Sequence, residues 1–318
     1  MSKRPTRLII DTDGGIDDAL ALILALRSPE QVEVVGVSTV SGNVRVEQAA
    51  INVLRVIELF DHRDIWVAQG LGNPLVRDPI RATGFHGMDG LGDSNLPQPR
   101  TRARKESAID RMIDQLNKEK HHGLTIVCIG PLTNIAAVLT HSPDASGRIS
   151  ELLIMGGAFG LSRYGYGNVT PVAEFNIYSD PEAAKIVLES GIRVRAVGLD
   201  VTSAPENWLT PPEYARIKAT KNRLSIFAAR ILANTLQKRR MFELHDPIAV
   251  GAVIQPSLYD FTERSVKIET KGEFTTGMTV TERREEADNL WTENPIKICT
   301  NLKSQRFKRL FLSHLLKD

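Results

Sequence analysis

Along the first 200 residues, short continuous apolar runs alternate with stretches whose apolar positions recur at helical spacing. "RLIID" (7–11), "VEVVGVSTV" (32–40), "IWVA" (65–68), "LTIVCI" (124–129), "ELLIM" (151–155) and "RVRAVGL" (193–199) read as strands. Amphipathic segments at 17–27, 46–60, 105–120, 132–140 and 181–190 read as helices. Apolar strands alternating with helices predict an α/β fold with an open, mainly parallel central sheet covered by helices on both faces. A polar, glycine-rich loop is expected from 70 to 100. Further on, the pattern predicts helices at 211–219 and 222–240, a short buried helix at "DPIAVGAVI", β-like runs near 264–270 and 278–284, and an amphipathic C-terminal helix, "SQRFKRLFLSHLL". No linker, repeat or low-complexity tract interrupts the chain, so a single domain over 1–318 with added C-terminal helices and short strands is expected.

Composition narrows the function classes. The chain has 318 residues, 42% hydrophobic and 25% charged, and a formal net charge of +2. That balance gives no reason to expect a nucleic-acid or membrane partner. The basic runs "TRARK" (101–105) and "KRR" (238–240) lack interleaved aromatics and read as solvated surface. The two cysteines, Cys128 and Cys299, have no metal or redox spacing, and Cys128 reads as a small buried hydrophobe. "MSKRPTR" lacks an apolar signal core, and the longest apolar run, Ala19 to Leu26, is too short to span a bilayer. The expectation is a cytoplasmic protein.

Polar side chains collect where the predicted strands end: Asp11 and Asp13, then Ser41 and Asn43, then "GPLTN". In open α/β sheets that edge is where ligands bind. The first corner, "DTDGGIDD" (11–18), carries four aspartates in eight positions. Four explanations compete. An EF-hand would need Gly at position six and Glu at position twelve, where Ile16 and Leu22 stand, so it fails. An aspartyl-phosphate phosphatase also uses D-x-D-G after a strand but does not explain Asp17 and Asp18. Helix capping explains those two and leaves out Asp11 and Asp13. A hard divalent cation would turn mutual repulsion into shared attraction. Gly14 and Gly15 would let the chain turn sharply between strand and helix.

"DTDGGIDDALAL" resembles the N-terminal signature of the nucleoside hydrolase family, the inosine–uridine-preferring ribohydrolases. "VSGNV" (40–44), "HGMDGLGD" (86–93), "GPLTNIA" (130–136), "IMGGAF" (154–159), "NVTPVAEFNIYSDPEAA" (168–184), "GLDVT" (198–202) and "LHDPIAV" (244–250) resemble further family segments in the family's order. The resemblance implies hydrolysis of the N-glycosidic bond of ribonucleosides to ribose and free base, through an oxocarbenium-like transition state. It implies Ca²⁺ held by Asp13, Asp18, Asp246 and the backbone carbonyl of Ile129, with Asp13 also the general base toward water. Asp17, Asn168, Glu174 and Asn176 match the ribose-binding set. Asn43 matches a position near the metal water and sugar. Asp11 would either orient Asp13 or cap backbone.

His245 matches the residue that protonates the leaving base, and His86 a base-side histidine in a loop able to close over the sugar. His62, His121, His122, His141 and His314 read as solvated surface. Met155 either lines the pocket or packs in the core, and the alternation Glu174–Phe175–Asn176 turns Phe175 toward the core. Two departures leave the preferred base open. The stretch before "HD" carries none of the tyrosines that some members use to assist base protonation, and the Trp of purine-specific relatives is replaced by His245. Tyr164 and Tyr166 read as exposed loop residues, with stacking on a base as the alternative. A metal-dependent phosphatase and a non-catalytic nucleoside-binding protein stay open as alternatives. The family's habit implies a homodimer or homotetramer acting on a small ribonucleoside.

Overall fold

The computed structural model describes residues 4–60, 64–119, 123–284 and 294–317. His62, His121 and His122, expected on the surface, lie outside the described residues. The strands are β1 (Thr6–Thr12), β2 (Val32–Thr39), β3 (Trp66–Gln69), β4 (Leu124–Cys128), β5 (Ile149–Met155), β6 (Val194–Val197), β7 (Tyr259–Arg264), β8 (Val266–Ile268), β9 (Thr279–Thr281) and β10 (Ile296–Leu302).

Eight of them form one sheet in the order β3-β2-β1-β4-β5-β6-β10-β7, parallel except for β7. The apolar runs are buried because helices cover both faces, and the core divides accordingly. One apolar cluster gathers Leu8, Ile10, Val127 and Leu153 with the helices on one side. The other gathers Ile9, Ile126, Leu152 and Ile154 with those on the opposite side. Neighbouring residues of one strand thus face opposite layers, as pleating requires. The expected fold class is the observed one, and among the described residues no helix is long and apolar enough to cross a membrane.

The strand order reverses direction at β1: β2 and β3 extend to one side, β4 to β6 to the other. A crevice opens beyond the carboxyl ends at such a switch point. Asp11 sits there in register with both Ser38 of β2 and Cys128 of β4. Helix Ile16–Leu26 leaves this crevice wholly buried, packed against β2 and against helix His245–Ile254, which itself rests on β5 and β6. Both helices begin at the crevice, so the positive ends of their dipoles meet there.

Several expectations need correction. The run expected at 264–270 is divided: β7 joins the main sheet, whereas β8 pairs with β9 as a separate antiparallel ribbon. β10, "IKICTNL", is a strand that the pattern does not predict; its polar alternate positions hide it, because only its buried face carries the apolar residues. A helical turn, Thr83–His86, interrupts the 70–100 loop. His314 is half-buried rather than solvated, because it lies on the inward flank of helix Ser304–Leu316 and its Nε2 meets Ser28 Oγ at 3.1 Å. His141 and the run 101–105 are largely exposed as expected, and Cys128 is buried.

Candidate active site

A cavity of about 450 Å³ opens at the crevice. Asp17, Asn43, His86, Ile129, Met155, Asn168, Glu174, Asn176, His245 and Asp246 all line it. Asp13 and Asp18 lie just beneath, fully buried. The structure therefore brings every residue nominated from the sequence to one place, from segments far apart along the chain.

The corner is built by bonds within "DTDGGIDD" itself. Gly14 has φ +74°, a left-handed conformation that favours glycine. Gly15 does not need that freedom, since its φ is −79°. Its smallness has another reason: a Cβ there would stand 2.6 Å from Asn43 Nδ2, 2.7 Å from His86 Nδ1 and 2.8 Å from Asp18 Oδ2. Asp18 reaches back over the corner. Its Oδ1 accepts from the Thr12 hydroxyl and from the backbone of Asp13 and Gly14, and its Oδ2 accepts from Gly15 N at 2.8 Å.

Asn43 clamps Asp13. Its backbone N–H donates to Asp13 Oδ2 and its Nδ2 to Oδ1, both at 2.8 Å. Asp11 makes no such bond to Asp13. It accepts from Ser38 Oγ at 2.5 Å and Asn134 Nδ2 at 2.8 Å, so it ties β1 to β2 and to helix Thr133–His141. Burial pushes its carboxyl up to about 7.

The sugar-side segment folds just as tightly. Glu174 caps helix Phe175–Ser179, accepting from Asn176 N and Ile177 N, and also from Gly157 N at 3.0 Å. Asn176 Nδ2 donates to Met155 O at 3.0 Å and to Ile129 O at 3.4 Å. Asn168 Oδ1 accepts from Phe175 N at 2.9 Å. Met155 lines the cavity rather than only the core. Phe175 does so too, contrary to expectation, because the segment is helical and strand alternation does not apply to it.

Electrostatics mark the site out. Burial, then mutual repulsion, pushes Asp13, Asp17 and Asp246 well above the ordinary carboxylate range. Carboxylate oxygens of Asp17, Asp18 and Asp246 lie within 4.8 Å of one another, and Asp17 Oδ1 is buried without a hydrogen-bond partner. A hard oxygen-rich donor set with a surplus of buried negative charge fits a divalent cation. The tight trio includes Asp17, which the resemblance implied for ribose, whereas both Asp13 oxygens are held by Asn43.

The two histidines differ in their proton inventory. His86 Nδ1 accepts from Ile16 N at 3.1 Å, and a backbone N–H can only donate. His86 is therefore the Nε2–H tautomer. Burial pushes its pKa down to about 3, so its 3.8 Å approach to Asp17 is not an ion pair. His245 Nδ1 meets Thr202 Oγ1 at 2.8 Å, and burial lowers its pKa too.

Sequence reasoning missed Arg81, Phe85, Tyr178, Ser203, Arg239 and Glu243, all of which line the cavity. The run "KRR" is exposed as expected, and Arg239 in addition reaches the cavity rim, its guanidinium 4.7 Å from the centre of the Phe85 ring. Tyr166 is exposed, and neither it nor Tyr164 lines the cavity. The segment "GLDVT" contributes Thr202, whose contact to His245 only the folded chain reveals.

The family model for "Inosine-uridine preferring nucleoside hydrolase" matches residues 8–309. The pyrimidine-specific ribonucleoside hydrolase RihA of Salmonella agona (strain SL483) is 40% identical over 280 residues, covering 86% of this chain and 87% of that protein. Among solved structures, the plant nucleoside hydrolase PpNRh1 superposes with a TM-score of 0.90 at 30% identity, over 99% of this chain and 100% of that one. A purine-preferring ribonucleoside hydrolase from Gardnerella vaginalis superposes at 0.87 with 31% identity, over 98% of both chains.

Proposed function

Since the chain belongs to the inosine–uridine preferring nucleoside hydrolase family and is an enzyme that hydrolyses the N-glycosidic bond of ribonucleosides, we propose that it does so with Ca²⁺ at the aspartate corner, the cavity residues being divided among ion, water, sugar and base. The observation that carries this reading is the convergence of Asp17, Asp18 and Asp246 within 4.8 Å of one another at the floor of the cavity, with Asp13 buried close enough to be repelled by Asp18 and Asp17. Asp13, Asp18, Asp246 and the Ile129 carbonyl would hold the ion. When bound, it supplies positive charge that orients the ribose hydroxyls and acidifies a water.

The chain's own groups do the rest. Asp13 takes the proton from the attacking water, and Asn43 fixes both Asp13 oxygens for that task. Asp17, Asn168, Glu174 and Asn176 bind the ribose hydroxyls, with Met155 against the sugar. Oxygen-rich walls suit positive charge developing on the ribose ring. On the base side His86 presents an Nε2–H donor and His245, steadied by Thr202, faces the leaving group. Negative charge building on the base is met there by hydrogen bonds and by a proton. Asp11 holds the strand end on which Asp13 sits.

The more similar of the two hydrolases with a stated preference is pyrimidine-specific, and we read pyrimidine ribonucleosides as the preferred substrates. The whole chain serves as one cytoplasmic domain, assembling as a homodimer or homotetramer. The test is release of reducing sugar from cytidine, uridine, inosine and adenosine after exhaustive dialysis against a chelator, with and without added Ca²⁺. Turnover should fall at least about a hundredfold on chelation and return with Ca²⁺. Chelator-resistant turnover, or restoration by Zn²⁺ but not Ca²⁺, refutes the ion assignment.

A further inference from the structure

Glu243 stands two residues before His245, at the entrance to helix His245–Ile254, and its side chain lines the cavity beside Phe85, Ser203, Arg239 and His245. Its Oε2 is buried and has no hydrogen-bond partner. Arg239 is its cavity neighbour, yet among the described residues no ion pair joins the two. Glu243 also lies outside the trio of carboxylates close enough to share an ion. An acceptor buried without a donor is costly to keep, unless a ligand supplies the donor.

The cavity's chemistry says which part of the ligand that is. Asp17, Asn168, Glu174 and Asn176 crowd the sheet-edge wall with polar groups suited to sugar hydroxyls. Phe85, His86 and His245 supply flat rings, and Phe85 is held edge-on to His86 at 4.8 Å between ring centres. A planar base fits among these rings, and Glu243 is then positioned to meet an edge of it.

We propose that Glu243 reads the exocyclic amino group of the base, so that the enzyme prefers cytidine over uridine. This rests on the reading of the same cavity as a pyrimidine ribonucleoside site. A carboxylate oxygen accepts from the 4-amino N–H of cytosine, the pairing also used to read that base in nucleic acids. Uracil offers a carbonyl oxygen at the same position. Two acceptors then face each other, and Glu243 stays unpaired as well. Sites that leave a buried polar group unpaired discriminate far more strongly than those that merely lose apolar contact.

The test is kcat/KM for cytidine and for uridine with the wild type, Glu243→Ala and Glu243→Gln. The wild type should favour cytidine by about tenfold or more, the scale of one charge-assisted hydrogen bond. In Glu243→Ala the cytidine:uridine ratio should fall about tenfold to a hundredfold. Glu243→Gln keeps the size and adds an N–H that can donate to the uracil oxygen, so its ratio should fall toward one or invert. A wild type indifferent to the amino group, or variants that lower both substrates equally, overturns the proposal. The second outcome would mark Glu243 as structural. If the wild type cleaves neither nucleoside, the reading of the cavity fails, and this proposal with it. Thermal melting of each variant separates misfolding from lost recognition.

Discussion

Gly15→Ala is the sharpest perturbation of the aspartate corner, because it deletes no functional atom. The backbone at Gly15 is ordinary extended chain, so alanine meets no conformational penalty there. Alanine in place of glycine gains about 0.4–1 kcal/mol through the unfolded state, but Gly15 is the N-cap of helix Ile16–Leu26, where alanine is the poorer residue, so the two effects about cancel. Against that, the new Cβ would lie 2.6 Å from Asn43 Nδ2, 2.7 Å from His86 Nδ1 and 2.8 Å from Asp18 Oδ2. Ordinary contact is about 3.5 Å, so each partner must retreat by roughly 0.7–0.9 Å. Overpacking of this kind costs about 1–3 kcal/mol. The net loss, about 1–3 kcal/mol, leaves a protein of ordinary stability folded. Catalysis should suffer far more. The retreat displaces the clamp on Asp13, the His86 tautomer contact and the Asp18 hook together, and misplacement by about 1 Å costs on the order of a hundredfold. We therefore expect kcat/KM for cytidine to fall about a hundredfold or more while the melting temperature falls by no more than a few degrees. Gly72→Ala is the control, since its Cβ would meet only Val46 Cγ1, at 3.5 Å. Activity of Gly15→Ala within about threefold of wild type would refute the claim that this corner is packed around its catalytic geometry.

Asp13→Asn should lower kcat by at least about a thousandfold, since the base is lost and one amide must face the two Asn43 donors; near-normal turnover would contradict the assignment. Because burial and repulsion hold Asp13, Asp17 and Asp246 partly protonated without a cation, Ca²⁺ binding should release protons and tighten as pH rises. Calorimetry in two buffers of different ionisation enthalpy measures that release, and zero release at mildly acid pH would argue against the cluster as the ion's seat. Thr202→Val should cut kcat about tenfold with little change in KM, by freeing the His245 ring that Thr202 Oγ1 holds at 2.8 Å; an unchanged kcat would strip Thr202 of any positioning role. Both cysteines are buried, with Cys299 pushed up to about 12, so a thiol reagent at pH 8 should label neither in the native protein and both after unfolding.

How much of the fold and site is legible in the sequence depends on distance along the chain. The corner from Asp11 to Asp18 is a local event, a strand that stops and a helix that starts, and its polar surplus stands out in any reading of the pattern. The sheet is equally legible where strands are buried on both faces, as in "LTIVCI". It is not at β10, where only one face is apolar and Lys297, Thr300 and Asn301 break the run. The cavity's far wall is hardest. Phe85, Tyr178 and Glu243 stand one or two residues from the nominated His86, Asn176 and His245, but which of them turns toward the cavity, and that Arg239 joins them, is decided only when separate elements pack together. Phe175 is misplaced by a two-residue alternation, which does not hold in a stretch that folds as a helix.

Packing also decides between the two surviving explanations of the corner. Helices Ile16–Leu26 and His245–Ile254 pack together and both begin at the crevice. Their positive ends therefore do face Asp17, Asp18 and Asp246, as the capping explanation requires. Each such contact is worth about 0.3–1 kcal/mol, and up to about 2 when partly buried. Burying an unpaired carboxylate costs several kcal/mol, and here Asp13, Asp17, Asp18 and Asp246 are all buried almost completely, with Asp17 Oδ1 still lacking any partner. Two helix ends fall short of that cost, and the neutral donors present, Asn43 on Asp13 and Thr12 with three backbone N–H groups on Asp18, leave Asp17 Oδ1 unpaired and the repulsion among the four carboxylates unanswered. Protonation would relieve the repulsion but would also disarm Asp13 as a base. A cation relieves it while keeping every carboxylate charged, and for that reason we read capping as the scaffold of the corner and the ion as its purpose.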